Sequence, residues 1–283
     1  MNWEKTKEII EEIRKRTEKD AYALTLNKER QPGIFDSKFG GVPYWDKSKE
    51  YPVDGDGKKM MLLAQINFEQ MFERVERDEL LPKKGILQFF IALDEVYGME
   101  FEEQDEQKSF RVVYHENVDC QVTREEVEAM DIPLSTSPEE EEYSPIWVEA
   151  ALEIRRTKVY MGDSDYRFEK LFQDIVSERL GEECQGQSLY QLLDDEAYDN
   201  MVEELGNENH WLLGYPYFTQ TDPREYEEKY RYYDTLLFQM DSDYGEEEDD
   251  ILWGDAGVAN FFMNREDLKN RNFDKVLYNW DCC

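Results

Sequence analysis

The chain is poor in the residues from which most catalytic and metal sites are built. Two histidines, His115 and His210, and four cysteines, Cys120, Cys184, Cys282 and Cys283, are spread over 283 residues. No Cys-x-x-Cys pair occurs, so zinc spacing is absent and a disulfide framework is not expected. There is no Gly-x-Ser-x-Gly elbow, no His-Glu-x-x-His pair and no glycine loop shaped for phosphate. Nucleophilic catalysis of the familiar kinds finds no foothold, and no cofactor or metal is implied. Long apolar runs are missing too, since nothing approaches the length of a membrane span. The start, MNWEKTKEIIEEIRKRTEK, is too charged for a signal peptide. The expected setting is cytoplasmic, with reduced thiols.

Positive charge is the other deficit. Lys and Arg number 33 against 67 Asp and Glu, a net charge of −34. A field of that sign repels phosphate backbones and anionic lipid. No nucleic acid and no membrane is therefore expected as a partner, whereas a basic protein is. The same surplus also serves plain solubility. Aromatic residues make up 14% of the chain, which points to a folded protein, because disordered chains are poor in them.

What is present is a repeat. GGVPYW at Gly40–Trp45 resembles LGYPYF at Leu213–Phe218, LLAQIN at Leu62–Asn67 resembles LLFQMD at Leu236–Asp241, and GILQFF at Gly85–Phe90 resembles GVANFF at Gly257–Phe262. Each pair is separated by about 173 positions, and VVYHENVDC (Val112–Cys120) echoes VLYNWDC (Val276–Cys282) further on. So long a period excludes a solenoid and fits two copies of a larger unit. In each copy a turn containing glycine and proline leads to a strand ending in Gln, then to a Gly-started apolar strand. Gly41, Pro43, Gly85, Gly214, Pro216 and Gly257 are read as structural turn residues, with Gly257 expected at positive φ. Residues 1–134 form the first unit. Residues 135–187 hold an acidic loop, a strand and a helix between the copies, and 188–283 form the second unit. The whole is expected to be one compact domain of two halves, its sheets packed together or merged.

Helices are read at three places. Phe168, Leu171, Phe172, Ile175, Val176 and Leu180 mark one helical face, with Gly181 in the place of a left-handed cap. Ser188–Gln191 reads as a capping box opening a helix to about Leu205. The N-terminal segment presents Trp3, Ile9, Ile10 and Ile13 on one side. The fold class is thus α+β, internally duplicated and predominantly β, with a few packed helices. DGDGKK at Asp54–Lys59 reads as a hairpin turn.

Sites for chemistry are harder to place. Trp253, Gly254 and Asp255 have no counterpart in the first copy, and what two copies do not share is where a specific site can live. Alternatively, Trp253 fills the core and Asp255 caps a turn. DSDYGEEEDD (Asp241–Asp250) resembles a calcium loop until it is counted, because Gly245 stands one place early and no bidentate Glu follows. Both histidines are read as structural. Tyr217–Asp234 interleaves aromatics with Arg224, Lys229 and Arg231, a mixture suited to a protein interface.

The ordered motifs GGVPYW, LLAQIN, GILQFF, LLGYPYFTQTDPR, LLFQMDSD and WGDAGVANFFMNREDLKNRNFDKVLYNWDC resemble the YwqG family of bacterial proteins of unknown function. The resemblance runs from about Gly40 to Cys282 and is more specific in its second half. It implies an internally duplicated α+β fold and no assigned activity. The matching residues are Gly214, Pro216, Gln220, Asp222, Pro223, Gln239, Trp253, Gly254, Asp255 and Gly257. The acidic runs lie outside that pattern. Family members occurring beside toxin and immunity genes would suit an acidic protein that masks a basic one. The leading expectation is a non-enzymatic acidic protein-binding module, with Gln220, Asp222, Arg224, Trp253 and Asp255 as binding residues. The alternative is a carboxylate-dependent hydrolase or small-ligand binder with its site between the halves, near Asp222, Trp253 and Asp255.

Overall fold

A computed structural model describes residues 1–134, 143–181, 183–245 and 249–282. The acidic run EEEE at 139–142, the three glutamates at 246–248 of EEEDD, and Cys283 lie outside these residues. In chain order the elements are α1 (Trp3–Thr17), β1 (Lys19–Asn27), β2 (Lys38–Phe39), β3 (Met61–Asn67), α2 (Phe68–Phe72), β4 (Ile86–Ile91) and β5 (Phe110–His115). Then follow α3 (Arg124–Glu128), β6 (Ala150–Val159), α4 (Phe168–Leu180), α5 (Leu189–Leu192), α6 (Asp195–Leu205) and β7 (His210–Leu212). Last come α7 (Pro223–Tyr226), a 3-10 turn (Glu228–Tyr232), β8 (Thr235–Asp241), β9 (Val258–Met263), α8 (Arg265–Lys269) and β10 (Leu277–Asp281). Helix and strand take near-equal shares, so the chain is α+β without the expected excess of strand. Among the described residues no helix is long and apolar enough to cross a membrane.

All the strands join one antiparallel sheet of 10, in the order β10-β9-β8-β7-β1-β6-β2-β3-β4-β5. The expected two sheets are therefore merged. The sheet curls until its ends meet: Phe110 of β5 lies 5.1 Å from Tyr278 of β10, and Phe89 of β4 lies 4.5 Å from Phe238 of β8. The main core fills the inside of the curl. Leu63 and Phe89 face it from one side, Leu237 and Phe261 from the other. Outside, Leu62 and Phe90 pack with Tyr44 and Trp45, while Leu236 and Phe262 pack with Phe218. Both faces of β3, β4, β8 and β9 are thus covered. That is why these strands read as continuous apolar runs rather than alternating ones.

The strand order is unchanged when every strand is exchanged for the one five places along and the list is read backwards. Local bonds follow the same correspondence. Gln65 accepts the Tyr44 N–H at 2.8 Å and donates to Ile34 O and Asp36 O. Gln239 accepts the Tyr217 N–H at 2.8 Å and donates to Asn207 O and Asn209 O. Gln88 donates to Tyr44 O at 2.7 Å, and Asn260 to Tyr217 O at 2.8 Å. A register shift falls between Leu62 and Ala64 in one ladder and between Leu236 and Phe238 in the other.

The helices α1, α4 and α6 cover the central strands. Ile9, Ile13, Phe172, Ile175, Met201 and Leu205 form a second cluster with Ala21 and Val159. Gly181 caps α4 at φ 67° as expected. The helix expected from Ser188 to Leu205 is broken in two. Ser188 closes its capping box around α5, but Leu193 is extended and the Asp194 side chain accepts from Ala197 N, starting α6 afresh. A second N-cap residue in mid-run was the stop signal. Gly257 also departs from expectation. It has no positive φ, which belongs instead to Gly254 at 58°. Gly257 is needed because a Cβ there would lie 1.9 Å from Asp281 O.

Candidate functional site

An open cleft of about 760 Å³ lies beside the end of β10. Three segments wall it: the loop after β4 with Phe101 and Glu102, the stretch around α7 with Gln220, Tyr226 and Glu227, and Asp281 with Cys282. Its frame is hydrogen-bonded. Gln104 N donates to Tyr230 Oη at 2.9 Å, and Gln104 Nε2 to Asn279 Oδ1 at 2.7 Å. Lys229 reaches Glu103 Oε2 at 3.0 Å, tying the loop after β4 to the 3-10 turn. The Asp281 carboxylate accepts Thr219 N, Thr219 Oγ1 and Gln220 N at 3.0–3.1 Å. Burial raises its pKa even so, because the backbone donors offset only part of the desolvation.

On this frame sit exposed aromatic and acidic side chains. Phe101 is 69% exposed and Tyr226 64% exposed, values that mark surface apolar area available for contact. Glu102 and Glu227 line the same cleft and make no ion pair among the described residues.

The five residues singled out from sequence are placed apart in role. Gln220 lines the cleft, its Nε2 donating to Cys282 O at 2.6 Å. Asp222 and Arg224 are almost wholly buried, 2% and 1% exposed. Arg224 Nε and Nη2 donate to the two Asp222 oxygens at 2.8 and 2.6 Å, and the guanidinium lies over the Phe262 ring. Asp222 also accepts Tyr166 N, and Asp165 binds Arg167 through both oxygens. This pair is a frame that fixes the stretch around α7 against the start of α4, and it presents neither charge to solvent. Trp253 is fully buried between Tyr97 and Trp280, at 5.7 and 6.2 Å. Asp255 is exposed. Of the five, Gln220 alone lines this cleft.

The histidines are packed. His115 is buried, its Nε2 3.0 Å from Gln88 Oε1 and its ring edge-on to Tyr44 and Trp45. Burial pushes its pKa down to about 4. His210 Nδ1 accepts from Asp241 N at 3.1 Å. Among the described residues no group of three or more His, Cys, Asp or Glu side chains is arranged to hold a metal.

Sequence reasoning missed a second polar centre. Lys38 in β2 is fully buried, and its ammonium donates to Val42 O, while Glu149 Oε1 lies 3.2 Å away. Arg124 donates to both Glu149 oxygens at 3.0 and 2.7 Å. Burial alone would raise the Glu149 carboxyl. The hydrogen bond from Arg124 and the charge of Lys38 outweigh it and hold the pKa below its ordinary value.

Together these features define an α+β protein built on one curled antiparallel sheet, with an acidic, aromatic-rimmed cleft at one end. Residues 37–282 match a family described as "Domain of unknown function (DUF1963)", and the chain belongs to that family. A comparison with curated proteins returns no match.

Proposed function

We propose that the protein is a non-enzymatic binding module that takes an extended basic segment of a partner protein into the cleft beside β10. The observation that carries this reading is the rim: Phe101 and Tyr226 stand exposed beside the carboxylates of Glu102 and Glu227, which make no ion pair among the described residues. Exposed aromatic anchors with complementary charge are what a Lys- or Arg-rich peptide needs, and the chain's net charge of −34 steers such a partner inward. The burial of Trp253 and the mutual commitment of Asp222 and Arg224 weigh against a carboxylate-dependent hydrolase at those residues.

Titration of the full chain with a fluorescent arginine-rich peptide tests it. Binding should weaken with added salt and fall by about tenfold in the double variant Phe101→Ser, Tyr226→Ser. Binding indifferent to both changes would remove the cleft from consideration.

The same reading takes the chain as two copies of one five-stranded unit, β1–β5 and β6–β10. The invariance of the strand order and the matched Gln65 and Gln239 bonds support it. On this plan the second unit takes in β6, and the central strands are exchanged between the copies. The motifs quoted above further support a place in the YwqG family, for which masking a basic toxin face is the form that partner binding would take.

A further inference from the structure

A different recess, of about 460 Å³, opens at the far end of the central strands. Lys19 opens β1 there, Lys158 stands near the end of β6, Arg167 precedes α4 and Arg265 begins α8. Four acids, Glu18, Asp20, Asp78 and Asp234, line the same hollow, so what matters is which cations they hold. Two of the four cations are committed. Lys158 meets Glu18 and Asp20 at 3.5 and 3.2 Å, and Arg167 is bound by both oxygens of Asp165. The side chains of Lys19 and Arg265 have no carboxylate partner among the described residues. The Lys19 ammonium rests 3.4 Å from the centroid of the Tyr215 ring. The ring face is attractive to a cation but offers no lone pair.

Of the acids that line the same hollow, Glu18 and Asp20 are paired with cations, while Asp78 and Asp234 are held by neutral donors. Asp20 is shared by Arg156 and Lys158, and Asp234 accepts from Thr235 Oγ1 and Arg265 N. Asp78 accepts Leu80 N. Burial and the guanidinium groups of Arg167, Arg224 and Arg265 press the Lys19 pKa down to about 7, against the pull of Asp165. A bound anion would relieve that electrostatic cost.

The matching turn of the first half shows what fills such a place. Two residues after Phe39, whose sheet partner is Ala150, comes Gly41; two residues after Leu212, whose partner is Tyr22, comes Gly214. The residue preceding each partner packs on the glycine. In the first half it is Glu149, whose side chain lies 2.2 Å from where a Gly41 Cβ would be. In the second it is Ala21, whose Cβ comes within 3.1 Å of the Gly214 position. Over Gly41 the chain supplies its own carboxylate and two cations hold it. Beside Gly214 the cations are present and the chain supplies a methyl group.

We propose that the recess at Gly214 binds a small oxyanion, a carboxylate or phosphate group carried by a small molecule, between Lys19 and Arg265. The surrounding acids restrict the ligand to a compact one and exclude an extended polyanion.

Calorimetric titration of the full chain at low ionic strength, with inorganic phosphate in one arm and succinate in the other, tests this. Sodium chloride at matched ionic strength is the control. One or both oxyanions should bind and raise the melting temperature beyond chloride, and the arms tell phosphate from carboxylate. Lys19→Met should weaken binding by about tenfold or more. Arg265→Gln, at an exposed side chain, should weaken it while leaving the unliganded melting temperature unchanged. The Lys19 amine resonance should titrate at higher pH with ligand present. The proposal is overturned if neither anion exceeds chloride, or if both variants bind as the wild type does.

Discussion

The two glycine turns, Gly41 and Gly214, share a backbone plan and differ in what covers them. Each follows a short strand, β2 or β7, that pairs with a central strand, and each is left-handed, at φ 68° and 101°. Over Gly41, Glu149 and its cations Lys38 and Arg124 make a closed polar plug. Beside Gly214, Ala21 leaves a hollow bordered by Lys19 and Arg265. One residue, at one register position, separates a sealed structural centre from an open recess. The turn at Gly41 is closed by an internal ion pair, and under the proposed oxyanion binding the turn at Gly214 takes its anion from outside.

The comparison breaks most readily on the closed side. Glu149→Ala strands the fully buried Lys38 ammonium without its counter-charge, and losing one partner of a buried pair costs about 3–5 kcal/mol. Urea denaturation should read a loss of that order. Lys38→Met in the same chain should restore much of it, because the stranded charge is then gone. If Glu149→Ala costs no more than an exposed pair would, about 1 kcal/mol or less, the plug is not structural.

Gly41→Ala and Gly214→Ala sharpen the contrast at lower cost. Left-handed backbone alone costs a non-glycine residue about 1–2 kcal/mol, and both variants carry that charge. Gly41→Ala adds a clash with the pinned Glu149 side chain, whereas the Gly214 methyl meets Ala21 at 3.1 Å. The first substitution should cost about 1 kcal/mol more than the second. In a Glu149→Ala background the difference should vanish, since neighbours that share a clash are not additive. Equal costs in the wild type would deny Glu149 its place over the turn.

How much of this could be read from sequence depended on whether partners were local. The runs LLAQIN, GILQFF, LLFQMD and GVANFF announced β3, β4, β8 and β9, because strands covered on both faces read as apolar throughout. The Gly181 cap and the DGDGKK turn, closed by Asp54 N donating to Lys58 O, were equally local. Strand β1 went unread, although Tyr22, Leu24 and Leu26 alternate in it, because it follows the charged α1 directly. The polar centres were out of reach. Lys38 and Glu149 are 111 positions apart, Arg124 and Glu149 25 apart, and only tertiary packing of β2, α3 and the start of β6 brings them together. Trp253 and Asp255 stand out in sequence as an unshared motif with two readings, a site or a core residue beside a turn; Trp253 is core and Asp255 lies in an exposed turn. Lys19, in the run EKDAY, resembled any surface charge, and nothing nearby betrays Arg167 or Arg265.

The remaining prediction concerns pH, and its sign follows from Lys19. The unfolded chain keeps the Lys19 proton up to the ordinary value of 10.5, whereas the folded chain releases it near 7. Between those values the unfolded state binds more protons, so unfolding takes one up and stability rises with pH. The facing groups do not titrate in that window. Asp165 and Asp20 are held ionised by their cations, Arg167 stays charged, and Tyr215 is pushed up to about 12 by burial. Chemical denaturation at pH 7, 8 and 9 should therefore show wild-type stability climbing relative to Lys19→Met, which lacks the group. A bound oxyanion should flatten the climb, because it holds the proton on Lys19 in the folded state. Equal slopes in wild type and variant would mean that Lys19 is solvated like any surface lysine, and the two turns would then differ in shape alone.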